Sequence, residues 1–248
     1  KVAEKQAAYP SQVSYFHGCY VNYNNPQLGK DLIKVMNAFS IGVQLLEKEK
    51  CCGVALISNG LIKQAQKQAR TNINSIRKSV LEKKLPVIAT SSTCTFTIRD
   101  EYPHLLDIDN ADVREDVELA TRYIYRLLSQ KKTKLNFKTG EKIKVAYHTP
   151  CHMEKLGWAY YSIELLKLIP NIELTILDSQ CCGIAGTYGF KKENYKTSQD
   201  IGEPLFKQIE ALDIDYVVTD CETCKWQIEM STSKRCEHPI SILANALE

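Results

Sequence analysis

The 248 residues carry 32 basic and 29 acidic side chains, a net charge of +3, with 44% hydrophobic residues. That balance fits a chain with buried cores and gives little support to nucleic-acid binding, because the basic residues are dispersed apart from the run Lys131-Lys132-Thr133-Lys134-Leu135-Asn136-Phe137-Lys138. No run of about 18 apolar residues occurs, so no transmembrane helix is expected, membrane contact would be peripheral, and no secretory signal is visible.

In chain order, Val13-Ser14-Tyr15-Phe16 reads as a short strand with Cys19 just behind it. Leu28, Leu32, Val35, Met36 and Phe39 then share one helical face. Val43 to Leu46 returns to strand and is closed by Cys51-Cys52-Gly53. The clearest helix runs from Leu61 to Lys84, with Ile62, Ala65, Ala69, Ile73, Ile76 and Val80 at helical spacing. Pro86 to Thr90 is the next strand, and Ser91-Ser92-Thr93-Cys94 follows it directly. Asp112 and Glu115 predict a capping box for a helix bearing Val113, Val117, Ala120, Ile124 and Leu127.

The second half repeats the plan. A strand from Lys144 to His148 precedes Cys151, a helix lies around Ile163 to Ile169, and a strand from Leu174 to Leu177 precedes Cys181-Cys182-Gly183. A helix with Ile201, Leu205, Ile209 and Leu212 on one face leads to a strand from Tyr216 to Thr219 and then to Cys221-Glu222-Thr223-Cys224. The expected fold class is therefore α/β, in two similar lobes from an internal duplication, each a parallel sheet flanked by helices with its cysteines at strand C-terminal ends. The lysine-rich stretch 129–142, with Gly140, is the expected linker between a first lobe at 1–128 and a second at 143–248.

The duplication is clearest in the cysteines. Cys19, Cys51, Cys52 and Cys94 match Cys151, Cys181, Cys182 and Cys224, with an offset of 130 residues from Cys51 to Cys181 and again from Cys94 to Cys224. The copies differ where Ser91 stands in the place of Cys221. Ten cysteines are too few for a disulfide scaffold in a chain of this length, and their grouping reads as metal-ligand spacing in a reducing, intracellular context. Converging thiolates are soft ligands suited to iron–sulfur clusters or zinc. A Cys-x-x-Cys tetrapeptide can hold one metal with both sulfurs, whereas adjacent cysteines reach two neighbouring irons more easily, which points to a multi-iron cluster in the second lobe. Ser91 removes one soft ligand from the first lobe, where Cys19, Cys51, Cys52 and Cys94 still suffice for a tetrahedral zinc site or an ordinary cluster. Cys236 falls outside the repeat and reads as a buried structural cysteine.

His17, His148 and His152 flank these cysteines and suit metal ligation, hydrogen bonding to a cluster sulfur, proton delivery or simple loop shaping. Gly183, Gly186 and Gly189 superficially resemble a dinucleotide loop but lack the G-x-G-x-x-G spacing. Trp158, Tyr160 and Tyr161 suit either a lipid or quinone contact or ordinary packing between the lobes.

The blocks Tyr15-Phe16-His17-Gly18-Cys19, Glu49-Lys50-Cys51-Cys52-Gly53, Ala89-Thr90-Ser91-Ser92-Thr93-Cys94, His148-Thr149-Pro150-Cys151-His152-Met153-Glu154, Asp178-Ser179-Gln180-Cys181-Cys182-Gly183-Ile184-Ala185-Gly186 and Thr219-Asp220-Cys221-Glu222-Thr223-Cys224-Lys225-Trp226 resemble the cysteine-rich CCG-domain proteins. That family includes the CCG-bearing component of heterodisulfide reductase and the iron–sulfur subunits of glycolate and lactate oxidases. More narrowly, the blocks are similar to the family of cysteine-rich iron–sulfur subunits of anaerobic glycerol-3-phosphate dehydrogenase. The resemblance implies a non-catalytic electron-transfer subunit that takes electrons from flavin-containing dehydrogenase subunits toward membrane quinone and anchors them peripherally at the cytoplasmic side of the inner membrane. It also implies a noncubane 4Fe–4S cluster on Cys151, Cys181, Cys182, Cys221 and Cys224. Relatives carry a ferredoxin-like segment ahead of these lobes, and a chain opening on Lys1 rather than Met is expected to lack it. Two other functions fit the same cysteines: a zinc-stabilised anchoring module without a redox role, and a disulfide-reducing enzyme.

Overall fold

The computed structural model describes residues 2–130 and 135–248, so the core of the basic run, 131–134, lies outside the described residues. The chain divides into two compact units, Lys1–Leu135 and Asn136–Glu248, and the proposed linker at 129–142 spans that division. In the first unit α1 (Val2–Ala7) precedes β1 (Ser11–Phe16), and α2 (Gly18–Tyr23) and α3 (Pro26–Ala38) lead to β2 (Ile41–Leu45). Next come α4 (Val54–Ile57), α5 (Ile62–Arg77), β3 (Val87–Ala89), α6 (Ser92–Phe96), α7 (Tyr102–Leu105), β4 (Val117–Leu119) and α8 (Ala120–Ser129). The second unit runs β5 (Ile143–Tyr147), α9 (Cys151–Leu156), α10 (Ala159–Lys167), β6 (Ile172–Ile176), α11 (Tyr195–Glu210), β7 (Tyr216–Val218), α12 (Glu222–Ser231), β8 (Arg235–Glu237) and α13 (Pro239–Ala246).

Each unit is a four-stranded sheet, ordered β2-β1-β3-β4 in the first and β6-β5-β7-β8 in the second, and every pairing within them is parallel. The sequence reading of a duplicated α/β fold is thus what the chain adopts. Strands covered on both faces must be apolar throughout, and Val13, Val87, Ile88, Val145, Ala146, Val217 and Val218 are fully buried. The chain leaves β1 toward β2 on one side and returns to β3 on the other, so the order reverses between β1 and β3, and likewise between β5 and β7. In open parallel sheets that reversal opens a crevice at the strand C-termini.

The helices follow their apolar stripes. In α3, Asn25 caps the first turn by accepting from Leu28 N at 3.3 Å, Pro26 presets the helical φ, and Leu28, Leu32, Val35 and Met36 are buried. In α5 the buried face is Ala65, Ala69, Asn72, Ile73 and Ile76, while Ile62 at its start is exposed. That core is shared with Phe16, Val87, Ala89, Cys52 and Cys94, so one packed cluster supports both the helix and the sulfur-bearing loops.

Three expectations need correction. Asp112 and Glu115 form no capping box: Asp112 pairs with Arg77 at 2.7 Å and Glu115 with Arg99 at 3.0 Å, and Val113 and Val117 do not share a helix with Ile124. The stretch is a 3-10 turn, then β4, then α8, and helical spacing misled because three-residue β4 leads straight into a helix. β4 and its counterpart β8 were not foreseen; both carry charged residues, Glu118 being buried against Arg122 and Arg126, and Arg235 and Glu237 flanking Cys236. In α11, Ile201 is 50% exposed and the buried line passes instead through Ser198, Gly202, Leu205, Phe206 and Ile209. Gly202 lies on that face because a Cβ there would meet Cys182 O at 2.6 Å.

The outer strand of the first sheet is covered. Gln6 in α1 accepts from Val43 N at 3.0 Å, closing an edge that would otherwise present unpaired backbone groups, whereas β6 in the second unit is partly exposed along its length. The close approach of α1 requires a glycine in β2, since a Cβ at Gly42 would lie 2.0 Å from Gln6 O. We expect Gly42→Ala to destabilise the first unit by about 1–3 kcal/mol in urea unfolding; an unchanged midpoint would show that the α1 contact contributes nothing.

Candidate functional site

In both units the cysteines collect beyond the strand C-termini, at the reversal point. Cys19 lies in α2 directly after β1, Cys51 and Cys52 in the loop after β2, and Ser91 to Cys94 at the start of α6 after β3. Cys151, Cys181, Cys182, Cys221 and Cys224 occupy the same places in the second unit. Burial repeats as well. Cys52, Cys94, Cys182, Cys221 and Cys224 are 8% exposed or less and form the floors, while Cys19, Cys151 and Cys181 are exposed at the rims and Cys51 is half-buried. Ser91, 5% exposed, sits at the buried position of Cys221. Cys236 is buried in β8.

The sulfurs run in series. In the second unit Cys182 Sγ and Cys224 Sγ are 3.2 Å apart, and the thiols of Cys181 and Cys224 stabilise the Cys182 thiolate, which is held down to about 3, while the hydrogen bonds with Cys182 and Cys221, and then burial, push Cys224 up. In the first unit Cys19 and Cys52 stabilise the Cys51 thiolate, also down to about 3, and Cys52 is pushed up by Cys51 and Cys94. Cys151 is raised by burial, with the charges of Cys221 and Cys182 adding to it. Cys19, Cys51, Cys52 and Cys94 are thus linked in order in the first unit, and Cys181, Cys182, Cys224 and Cys221 in the second, with Cys151 close enough to feel their charge. Among the described residues, no three His, Cys, Asp or Glu donors surround one point as a single ion requires.

The turns that bring the sulfurs together depend on glycine at two places. Gly53 (φ +98°) and Gly183 (φ +85°) adopt left-handed backbone right after each vicinal pair, and a Cβ at Gly183 would meet Ser198 O at 2.0 Å. The floors are braced by polar groups. In the second unit buried Asp220 accepts from Tyr147 Oη at 2.6 Å and Ser162 Oγ at 2.9 Å, tying β5 and α10 to the residue before Cys221. In the first, Tyr15 Oη and Thr90 Oγ1 are 3.0 Å apart at the equivalent place. Ser91 Oγ accepts from Cys94 N at 3.1 Å and so acts as the N-cap of α6; Cys221 makes no such cap on α12.

The histidines differ. His17 Nδ1 lies 3.3 Å from Glu49 Oε1, and Glu49 also accepts from Gly18 N at 2.7 Å and His17 N at 3.2 Å. Burial pushes the Glu49 carboxyl up to about 7. His152 is brought down to about 4 by burial. His148 is 1% exposed, is lowered by burial against the opposing charge of Cys182, and neither of its ring nitrogens has a hydrogen-bond partner. The glycines 183, 186 and 189 do not open a helix, because α11 begins only at Tyr195 after two 3-10 turns. Tyr160 is 55% exposed and meets Tyr161 edge to face at 5.8 Å.

Comparison with known proteins adds an independent line. The cysteine-rich domain family CCG matches residues 13–99 and 145–229, one match in each unit. The chain is 67% identical over 246 residues to a subunit of the anaerobic glycerol-3-phosphate dehydrogenase of Escherichia coli strain K12, covering 99% of this chain and 62% of that protein. It is 28% identical to an uncharacterized iron–sulfur protein of Methanocaldococcus jannaschii, over 93% of this chain and 45% of that one. It is 26% identical to a subunit of the fumarate reductase (CoM/CoB) of Methanothermobacter marburgensis, over 96% and 45%. The chain thus spans about three fifths or less of the length of these curated relatives. Among solved structures, glutamate racemase from Aquifex pyrophilus aligns over 94% of this chain and 81% of that one at 9% identity and a TM-score of 0.37, too weak to carry an argument.

Several site residues had no sequence signal of their own. Asn72, mid-way along α5, accepts from Lys50 N at 2.8 Å and donates to Cys51 O at 3.1 Å and Tyr102 Oη at 3.0 Å, and Tyr102 in turn donates to Cys52 O at 2.9 Å. Nothing local marks either residue, since each lies about 20 to 50 positions from the loop it holds. Glu49, by contrast, stands inside a cysteine block. We expect Asn72→Ala to cost about 1–3 kcal/mol in chemical unfolding and to speed alkylation of Cys51 and Cys52; unaltered stability with unaltered thiol reactivity would mean the loop holds itself.

Proposed function

The chain belongs to the CCG cysteine-rich domain family, and from that premise we propose that it is the iron–sulfur electron-transfer part of an anaerobic glycerol-3-phosphate dehydrogenase. In this reading it accepts electrons from flavin-containing dehydrogenase subunits, passes them toward membrane quinone without itself catalysing the dehydrogenation, and anchors the catalytic subunits at the cytoplasmic side of the inner membrane. The supporting observation is the second unit: five cysteines follow three strand ends at one edge of the sheet, Cys182 Sγ and Cys224 Sγ being 3.2 Å apart, with Cys182, Cys221 and Cys224 buried and Cys151 and Cys181 at the rim.

The donor set fits an iron–sulfur group. Its ligands would be Cys151, Cys181, Cys182, Cys221 and Cys224, as a noncubane 4Fe–4S cluster, with Cys19, Cys51, Cys52 and Cys94 holding zinc or a simpler cluster in the first unit. Soft thiolates are the ligands such groups require, and the Cys182 and Cys224 sulfurs already lie 3.2 Å apart with Cys181 beside Cys182. A bound cluster supplies one-electron chemistry. The chain's own residues do the rest: the buried floor excludes water, Gly183 lets the backbone turn beneath the vicinal pair, and Asp220, bonded to Tyr147 and Ser162, fixes the approach to Cys221. The exposed rim of Cys151 and Cys181 leaves a route for electrons to and from the surface.

Peripheral membrane contact is supported by an exposed aromatic and basic patch. No helix among the described residues is long and apolar enough to cross a membrane. Tyr188 and Phe190 are 41% exposed, Phe190 meets Trp226 edge to face at 5.8 Å, and exposed Lys191 and Lys192 adjoin them, a mix of aromatic and basic side chains that favours an anionic interface.

Cys181→Ala or Cys224→Ala should lose the iron of the second unit and abolish quinone reduction by the assembled dehydrogenase; a variant keeping full iron content and full rate would remove this assignment. Ser91→Cys exchanges the α6 cap for a fifth soft ligand. It should lose about 0.5–2 kcal/mol of metal-free stability while raising metal affinity or changing the spectrum of the first unit, and unchanged iron stoichiometry and spectra would show that Ser91 does not limit that site.

A further inference from the structure

His148 follows β5 directly and Thr219 follows β7, and the two strand ends are joined across the reversal point by His148 N donating to Val218 O at 2.9 Å. Both residues are 1% exposed. His148 Nδ1 and Nε2 and Thr219 Oγ1 have no hydrogen-bond partner, although Asp220, Tyr147 and Ser162 beside them are mutually satisfied. Buried polar atoms left idle are unfavourable, and two such side chains on adjacent strand ends indicate a shared partner. Their surroundings name its chemistry. His148 feels the charge of Cys182, and Thr219 stands two residues before Cys221.

The first unit, which lacks the fifth sulfur, lacks this arrangement. With Cys19 set against Cys151 the position of His148 is Phe16, which pairs with Ala89, the position of Thr219, so neither side chain there is a hydrogen-bond donor; His17, one residue on, is engaged by Glu49 at 3.3 Å and Gly18 O at 2.9 Å.

Resting on the reading that the second unit holds an iron–sulfur group, we propose that the His148 imidazole and the Thr219 hydroxyl are hydrogen-bond donors to the sulfur of that group and raise its reduction potential. A donor on sulfur draws negative charge away from iron and favours the reduced state, which is one of the levers by which proteins set cluster potentials. The two donors make the units electrochemically unequal beyond their difference in ligand number.

The test is a redox titration of the anaerobically purified protein followed by electron paramagnetic resonance, with iron counted in every sample. Thr219→Val keeps the side-chain shape and should retain its iron while the midpoint moves to a more negative potential. His148→Leu should move it further, and His148→Gln, whose amide restores a donor, should fall between His148→Leu and wild type. If His148→Leu does not retain iron, Thr219→Val and His148→Gln decide. A wild-type midpoint in Thr219→Val and in every iron-replete His148 variant overturns the proposal, as does the nitrogen hyperfine coupling of an imidazole bound directly to iron. Wild-type protein without iron in the second unit overturns the underlying reading instead, which separates the two failures.

Discussion

A parallel sheet delivers the carboxyl ends of all its strands to one edge, and in each unit of this chain that edge is where the sulfur atoms collect. The constraint is topological before it is chemical. With the order β2-β1-β3-β4 the chain departs from β1 in both directions, so the loops after β1, β2 and β3 open around one crevice, and three sequence positions tens of residues apart are brought together without any bond between them. Buried strands fix the crevice, and it cannot spread without exposing residues such as Val13, Ile88, Val145 and Val217, each worth about 1.5–3 kcal/mol when fully buried. The packed core is thus what makes thiols gather before any metal is bound.

On that common frame the two units have been equipped differently. At one buried position the first unit has a hydroxyl that caps a helix and the second a thiol that caps nothing. Near its entry the first unit has Glu49, buried and engaged with His17 and two backbone N–H groups; the second has Ser179 at the matching offset and leaves His148 idle. At this entry the first unit therefore engages its histidine internally. The second leaves the His148 ring nitrogens and the Thr219 hydroxyl without a partner beside the strand ends that carry its cysteines. The cost of buried idle donors is tolerable only if something else satisfies them.

Much of this was legible in the sequence because it rests on local spacing. The repeated cysteine register, the strand that precedes each cysteine group and the apolar stripe of α3 are short-range patterns, and the structure reproduces them. What escaped depends on distant partners. Glu118 looks like a surface residue until Arg122 and Arg126 are seen to neutralise it inside β4, and Cys236 gives no hint that its polar neighbours form β8. Gly202 replaced Ile201 on the buried face of α11 because the Cys182 carbonyl presses there, a contact no periodicity encodes. Asn72, Tyr102 and Thr219 are ordinary residues in ordinary places, and only the fold reveals that they meet the cysteine loops or strand ends.

The most direct test of the central claim is the metal and sulfide content of wild-type protein purified without oxygen, measured together with its electron paramagnetic resonance spectrum. The account predicts about four irons and matching acid-labile sulfide in the second unit, beyond whatever the first unit holds, with a cluster signal that responds to reduction. Zinc without iron, after anaerobic handling and attempted reconstitution, would contradict it and leave the converging cysteines as a structural metal site.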